Sequence, residues 1–146
     1  MKVEIRIDPA LQEPEAVLYA PSVTPELEAL AKRLGEGEEA TLTVYSDRGA
    51  TFLPLGEIVR LYAERQSVLV QTRAATYTVR QRLYELEERL APHRFVRISN
   101  SEIVNARMIL GMDFSRAGTI RMSLRGGIET YASRRYVSKI RRQFDV

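Results

Sequence analysis

Apolar positions follow a period of two in some stretches and a helical period in others, and these stretches delimit the elements. Val3, Ile5 and Ile7 alternate with Glu4 and Arg6, the pattern of a half-buried strand. After a loop with Pro9 and Pro14 and a short apolar stretch at residues 17–19, Thr24-Pro25 opens a helix, with Thr as its cap and Pro at the first helical position. Leu27, Leu30, Ala31 and Leu34 then fall on one stripe, and Gly35 closes it. Leu42 and Val44 begin a strand, Ser46-Asp47-Arg48-Gly49 reads as a turn, and residues 51–55 return. From Ile58 strands follow closely, at 58–62, 68–72 and 76–79, joined by polar loops. Leu83, Leu86 and Leu90 predict a helix stopped by Pro92, and residues 95–98 a strand. Ser99-Asn100-Ser101-Glu102 has capping chemistry for a short helical turn. Strands at 108–112, 119–124 and 128–131 follow, the last two joined by Gly126-Gly127. Ser133 caps a final helix whose Val137, Ile140 and Phe144 face the core. About seven short strands with three or four helices predict a β-rich mixed α+β fold rather than a βαβ array. A strand–helix cap at residues 1–49 precedes a domain at residues 50–146.

Composition removes most catalysis. The 146 residues include no cysteine and a single histidine, His93, which excludes disulfides, thiol nucleophiles, zinc knuckles and Ser-His-Asp triads. No catalytic residue, metal site or cofactor is therefore expected. No apolar run is long enough for a membrane span, and Met1-Lys2-Val3-Glu4-Ile5-Arg6 is no signal peptide, so a cytoplasmic protein is expected. The net charge of +3 is unevenly spread: residues 1–55 carry 5 basic and 10 acidic side chains, residues 56–146 carry 17 and 9. Of the 22 basic residues 19 are arginine, whose planar fork matches a phosphate or a guanine edge. A GC-rich coding sequence would also favour arginine, but it would not produce the asymmetry, which points to a polyanionic partner.

The last helix carries the clearest chemistry. Arg135, Lys139 and Arg142 lie in a band opposite its apolar stripe. Arg134 and Arg135 stand in the first turn, against the helix dipole, where a bound anion with Ser133 and the free N–H groups would favour them. Asn100, in Arg97-Ile98-Ser99-Asn100-Ser101, can pair with adenine or simply cap a helix. Gln66, in the loop between two predicted strands, is a base reader or a turn residue. A protein-interaction module, its basic face docked on an acidic partner, fits the same charge pattern.

The run Phe95-Val96-Arg97-Ile98-Ser99-Asn100-Ser101-Glu102-Ile103-Val104-Asn105 resembles the signature of the LytTR family. Residues 58–72 resemble its hairpin, Arg80 to Glu87 its helix, and Tyr131-Ala132-Ser133-Arg134-Arg135-Tyr136-Val137 its closing motif. The resemblance spans about residues 50–146, in family order. It implies an elongated stack of small, mostly antiparallel sheets with flanking helices, which reads successive major grooves of double-stranded DNA with loops. Carried over by motif, it implies that Gln66, Asn100 and Arg135 read bases and that Ser101, Arg134 and Lys139 contact phosphates; Ser133 and Arg142, from the helix start and its basic band, are expected to join them. It also implies a transcriptional regulator, here without a receiver domain. Because one module offers few base contacts, a homodimer at least on paired DNA half-sites is expected, with room for a regulatory protein partner and the cap at residues 1–49 as a dimerisation or regulatory element.

Overall fold

The computed structural model describes residues 1–36 and 40–146. The elements are α1 (Pro25–Glu36), β1 (Thr41–Ser46), β2 (Gly49–Pro54), β3 (Ile58–Glu64), β4 (Ser67–Thr72), β5 (Thr76–Val79), α2 (Leu83–Leu90), β6 (Phe95–Ser99), β7 (Glu102–Asn105), β8 (Ile109–Asp113), β9 (Ile120–Leu124), β10 (Ile128–Ala132) and α3 (Arg134–Phe144). Chain contacts separate two units, Met1–Glu38 and Glu39–Val146.

In the larger unit a seven-stranded sheet runs β2-β1-β5-β4-β3-β7-β6 and a three-stranded sheet runs β10-β9-β8, every pairing antiparallel. Alternation explains how the larger sheet is sandwiched. Ile58, Leu61, Phe95 and Ile103 face a core shared with Leu83, Leu86 and Leu90 of α2. Val59, Val96, Ile98 and Val104 face the second core, with Ile120, Met122 and Leu124 of β9 and Ile140 of α3. Strands β3, β6 and β7 are thus apolar on both sides, and β7 is buried throughout. Asn105, the last residue of β7, is buried with them. Its Nδ2 donates to the Ile58 carbonyl at 2.8 Å and its Oδ1 accepts from the Arg107 amide at 3.0 Å.

Several expectations are revised. Among the described residues ten strands form where about seven were expected. Residues 3–7 are not a strand: Val3, Ile5 and Ile7 are 81%, 87% and 86% exposed, and among the described residues no backbone completes a ladder. Residues 17–19 likewise form no element. Thr24 does cap α1, accepting the Leu27 amide at 3.2 Å, and the helix runs one residue past Gly35. Ser99 to Glu102 starts no helical turn. Ser99 pairs with Glu102, so the segment closes the β6–β7 hairpin, and the single helical turn comes after Asn105. Ser133 stands at the N-cap of α3 without a side-chain cap bond. The β1–β2 hairpin runs in register from Thr41↔Pro54 to Ser46↔Gly49.

Candidate nucleic-acid interface

Gln66 occupies the tip of the β3–β4 hairpin. Glu64 pairs with Ser67, so Arg65 and Gln66 are its two loop residues, at φ 49° and 68°. Positive φ at both positions is the mirror-image turn that suits twisted strands, normally made with Asn-Gly. Two long side chains there cost conformational energy and stand out into solvent.

The Asn100-Ser101 tip lies at the same end of the sheet. β3 and β7 run antiparallel with Tyr62 opposite Glu102, and the Ala63 amide donates to the Ser101 carbonyl at 2.8 Å. Arg97 clamps this tip. Its Nε donates to the Ser99 carbonyl at 2.6 Å and its Nη2 to the Asn100 carbonyl at 2.6 Å, while Nη1 meets Glu87 Oε1 of α2 at 3.1 Å. Ser99 Oγ also accepts the Ser101 amide at 3.2 Å.

The start of α3 joins the same end. The Ser133 amide donates to the Ile98 carbonyl at 2.9 Å, and the Tyr136 hydroxyl to Asn100 Oδ1 at 3.2 Å. With Oδ1 held this way, Asn100 presents Nδ2 as an outward donor. Ser133, Arg134 and Arg135 are exposed here. The Arg134 side chain lies over Gly118 of the β8–β9 loop, where a Cβ would come within 3.0 Å of Nε and φ is +79°. The Arg135 guanidinium sits 6.0 Å from the Tyr136 ring centre.

The remaining two residues stand apart from this cluster. Lys139 Nζ is 3.8 Å from Glu87 Oε2, so one carboxylate serves both it and Arg97. Arg142 bonds back to the Ser138 carbonyl at 3.4 Å and lies about 12 Å along the helix from Arg134. Among the described residues no group of three or more His, Asp or Glu side chains could hold a metal, and no helix is long and apolar enough to cross a membrane.

Sequence reasoning gave no role to four participants: Arg97, Glu87, Tyr136 and the β8–β9 loop. In that loop Arg116 covers the Tyr131 ring at 5.8 Å. Asp113 at its base is held below the usual carboxylate range by hydrogen bonds from the Ser115 side chain and amide, with Arg121 and Arg116 adding to the effect. One signal for Arg97 was visible, a cation inside a strand of apolar residues.

Tyr136→Phe tests the hold on Asn100. It removes one exposed hydrogen bond, so the melting temperature should barely move.

Exposed polar tips from two hairpins and a basic helix start lie together at one end of the larger sheet. Residues 48–145 match the LytTr DNA-binding domain family, and the chain belongs to that family. Two Staphylococcus aureus proteins named as uncharacterized HTH-type transcriptional regulators, from strains bovine RF122 / ET3-1 and MSSA476, are each 29% identical over 147 residues, covering 100% of this chain and 99% of theirs. These relatives therefore share the N-terminal unit as well. A solved LytTr DNA-binding domain from Bacillus cereus has the same fold, with a TM-score of 0.70 at 24% identity, over 74% of this chain and 99% of that one. The helix-turn-helix of the relatives' names has no counterpart here: among the described residues α2 and α3 are separated by five strands.

Proposed function

We propose that this protein is a sequence-specific, double-stranded-DNA-binding transcriptional regulator. Gln66, Asn100 and Arg135 read base edges; Ser101, Ser133, Arg134 and Lys139 grip phosphates, and Arg142 takes a flanking phosphate. One observation carries the reading. The Ala63–Ser101, Ser133–Ile98 and Tyr136–Asn100 hydrogen bonds fasten three exposed polar segments to one end of the sheet. Arginine on phosphate supplies most of the affinity, and a few base contacts supply the choice of site. A single module offers few such contacts, so two protomers on paired half-sites fit the reading, with the N-terminal unit as the element that joins or regulates them.

The experiment is a selection of bound sequences from random duplex DNA at about 150 mM salt, run for the wild type, Asn100→Ala and Arg135→Ala. A paired motif that both substitutions abolish is the expected result. Motif-free binding in the about 10⁻⁴–10⁻⁶ M range would overturn it and leave the basic face to an acidic protein partner.

A further inference from the structure

Residues 2–8 have the chemistry of a strand and, among the described residues, no ladder partner. Arg6 Nε donates to Glu4 Oε1 at 3.1 Å, which puts both charges on one side of an extended backbone and leaves Val3, Ile5 and Ile7 for the other. None of the described residues 1–35 is buried. Residues 1–8 and 11–18, with Leu30 and Leu34 of α1, line a hollow of about 840 Å³, and Leu34 is itself half-exposed.

Read backwards, Lys2-Val3-Glu4-Ile5-Arg6-Ile7-Asp8 is its own complement. In an antiparallel pair of two copies centred on Ile5, Lys2 faces the partner's Asp8 and Glu4 faces the partner's Arg6. Val3 meets the partner's Ile7, Ile5 meets itself, and the two-fold axis makes each unlike pair twice. Opposite charges directly across such a pair stabilise it, and like charges do the reverse. Sliding by two residues in one direction sets Glu4 against Glu4 and Lys2 against Arg6. The other direction sets Arg6 against Arg6 and Glu4 against Asp8. Parallel pairing in register also stacks like charges. Of the pairings that engage all seven residues, only the centred antiparallel one sets unlike charges opposite each other throughout.

We infer that residues 2–8 form an antiparallel ribbon with the same segment of a second copy. A two-stranded ribbon alone is marginal in water. In the paired state its aliphatic face would turn into the hollow lined by residues 11–18, Leu30 and Leu34, which adds burial that the ribbon alone lacks. This supplies the interface that the paired half-sites of the proposed function call for, and its test needs no DNA, so failure of one reading is distinct from failure of the other.

The test is the assembly state of the full chain by sedimentation over a concentration series. A dimer is expected. Glu4→Arg should raise its Kd about ten-fold or more, and adding Arg6→Glu should bring it back to within about three-fold, because the pair is restored in reverse. The chain has no cysteine, so Ile5→Cys, oxidised with diamide, should cross-link to a dimer much faster than Val3→Cys. A wild type monomeric up to about 100 µM, a Glu4→Arg variant that assembles as well as wild type, or a double variant no better than the single would each overturn the proposal.

Discussion

Replacing Arg135 by alanine is expected to weaken binding to the protein's own site at least ten-fold, with little change in melting temperature. A forked arginine contact to a base edge contributes about 1–3 kcal/mol of discrimination, which corresponds to roughly 5- to 150-fold. The fold has little to lose at this position. Arg135 is exposed on α3 and has no ion-pair partner within 4.0 Å among the described residues; its one ring contact, to Tyr136 at 6.0 Å, is at the outer limit of such interactions. Arg135→Lys separates charge from geometry. It keeps the cation and so the salt dependence, but lacks the fork, so site preference should fall while binding to random duplex holds. Titrations against the selected site and a scrambled duplex, with thermal melts alongside, check both. Equal losses on both duplexes, together with a lowered melting temperature, would show that Arg135 supports the fold and does not read sequence.

The largest effect on stability is expected at Glu102, where alanine should cost about 2–4 kcal/mol and lower the melting temperature by roughly 5–15 °C. Its carboxylate is buried between the two sheets. Oε1 accepts the Thr130 hydroxyl of β10 at 2.8 Å, and Oε2 faces Arg60 Nη1 of β3 at 3.4 Å. Truncation strands a buried hydroxyl and a guanidinium whose side chain is only 21% exposed, leaving it with Gln71 and the Tyr62 ring. Most of the cost comes from those orphaned partners rather than from the attraction itself. Glu102→Gln keeps an acceptor for Thr130 and loses only the charge, so it should fall about midway in a denaturant titration. If glutamine and alanine prove equally costly, the charge matters and the hydrogen bond does not.

Much of the fold could be read in the chain because its cores obey local rules. The Leu83, Leu86 and Leu90 spacing marks α2, and the alternation along residues 58–62 marks β3. Residues 99–102 could not be read that way. Serine and asparagine suit a helix cap and a two-residue hairpin equally well, and the choice is made by Glu102 reaching Thr130, 28 positions away. The strand expected at residues 3–7 misled for the opposite reason: its local pattern is sound, but a ladder needs a second backbone. The candidate site divides along the same line. Its exposed tips, Gln66, Asn100 and Arg135, are conspicuous as polar residues between apolar runs. The side chains that restrain them are defined by distant partners, Glu87 for Arg97 and Asn100 for Tyr136.

The double-sided burial of β3, β6 and β7 bears on what these tips can address. Where one face of a strand is wet, a slip of one position is forbidden because it would drown the apolar set; where both faces are dry, that safeguard is lost. The buried amide of Asn105, bonded to the Ile58 carbonyl at 2.8 Å, takes over as the index mark of the ladder. A slip would advance a tip by about 3.3 Å, nearly the about 3.4 Å that separates one base pair from the next. Under the proposed function, the position of the tips along DNA is therefore set at the far end of β7, by Asn105.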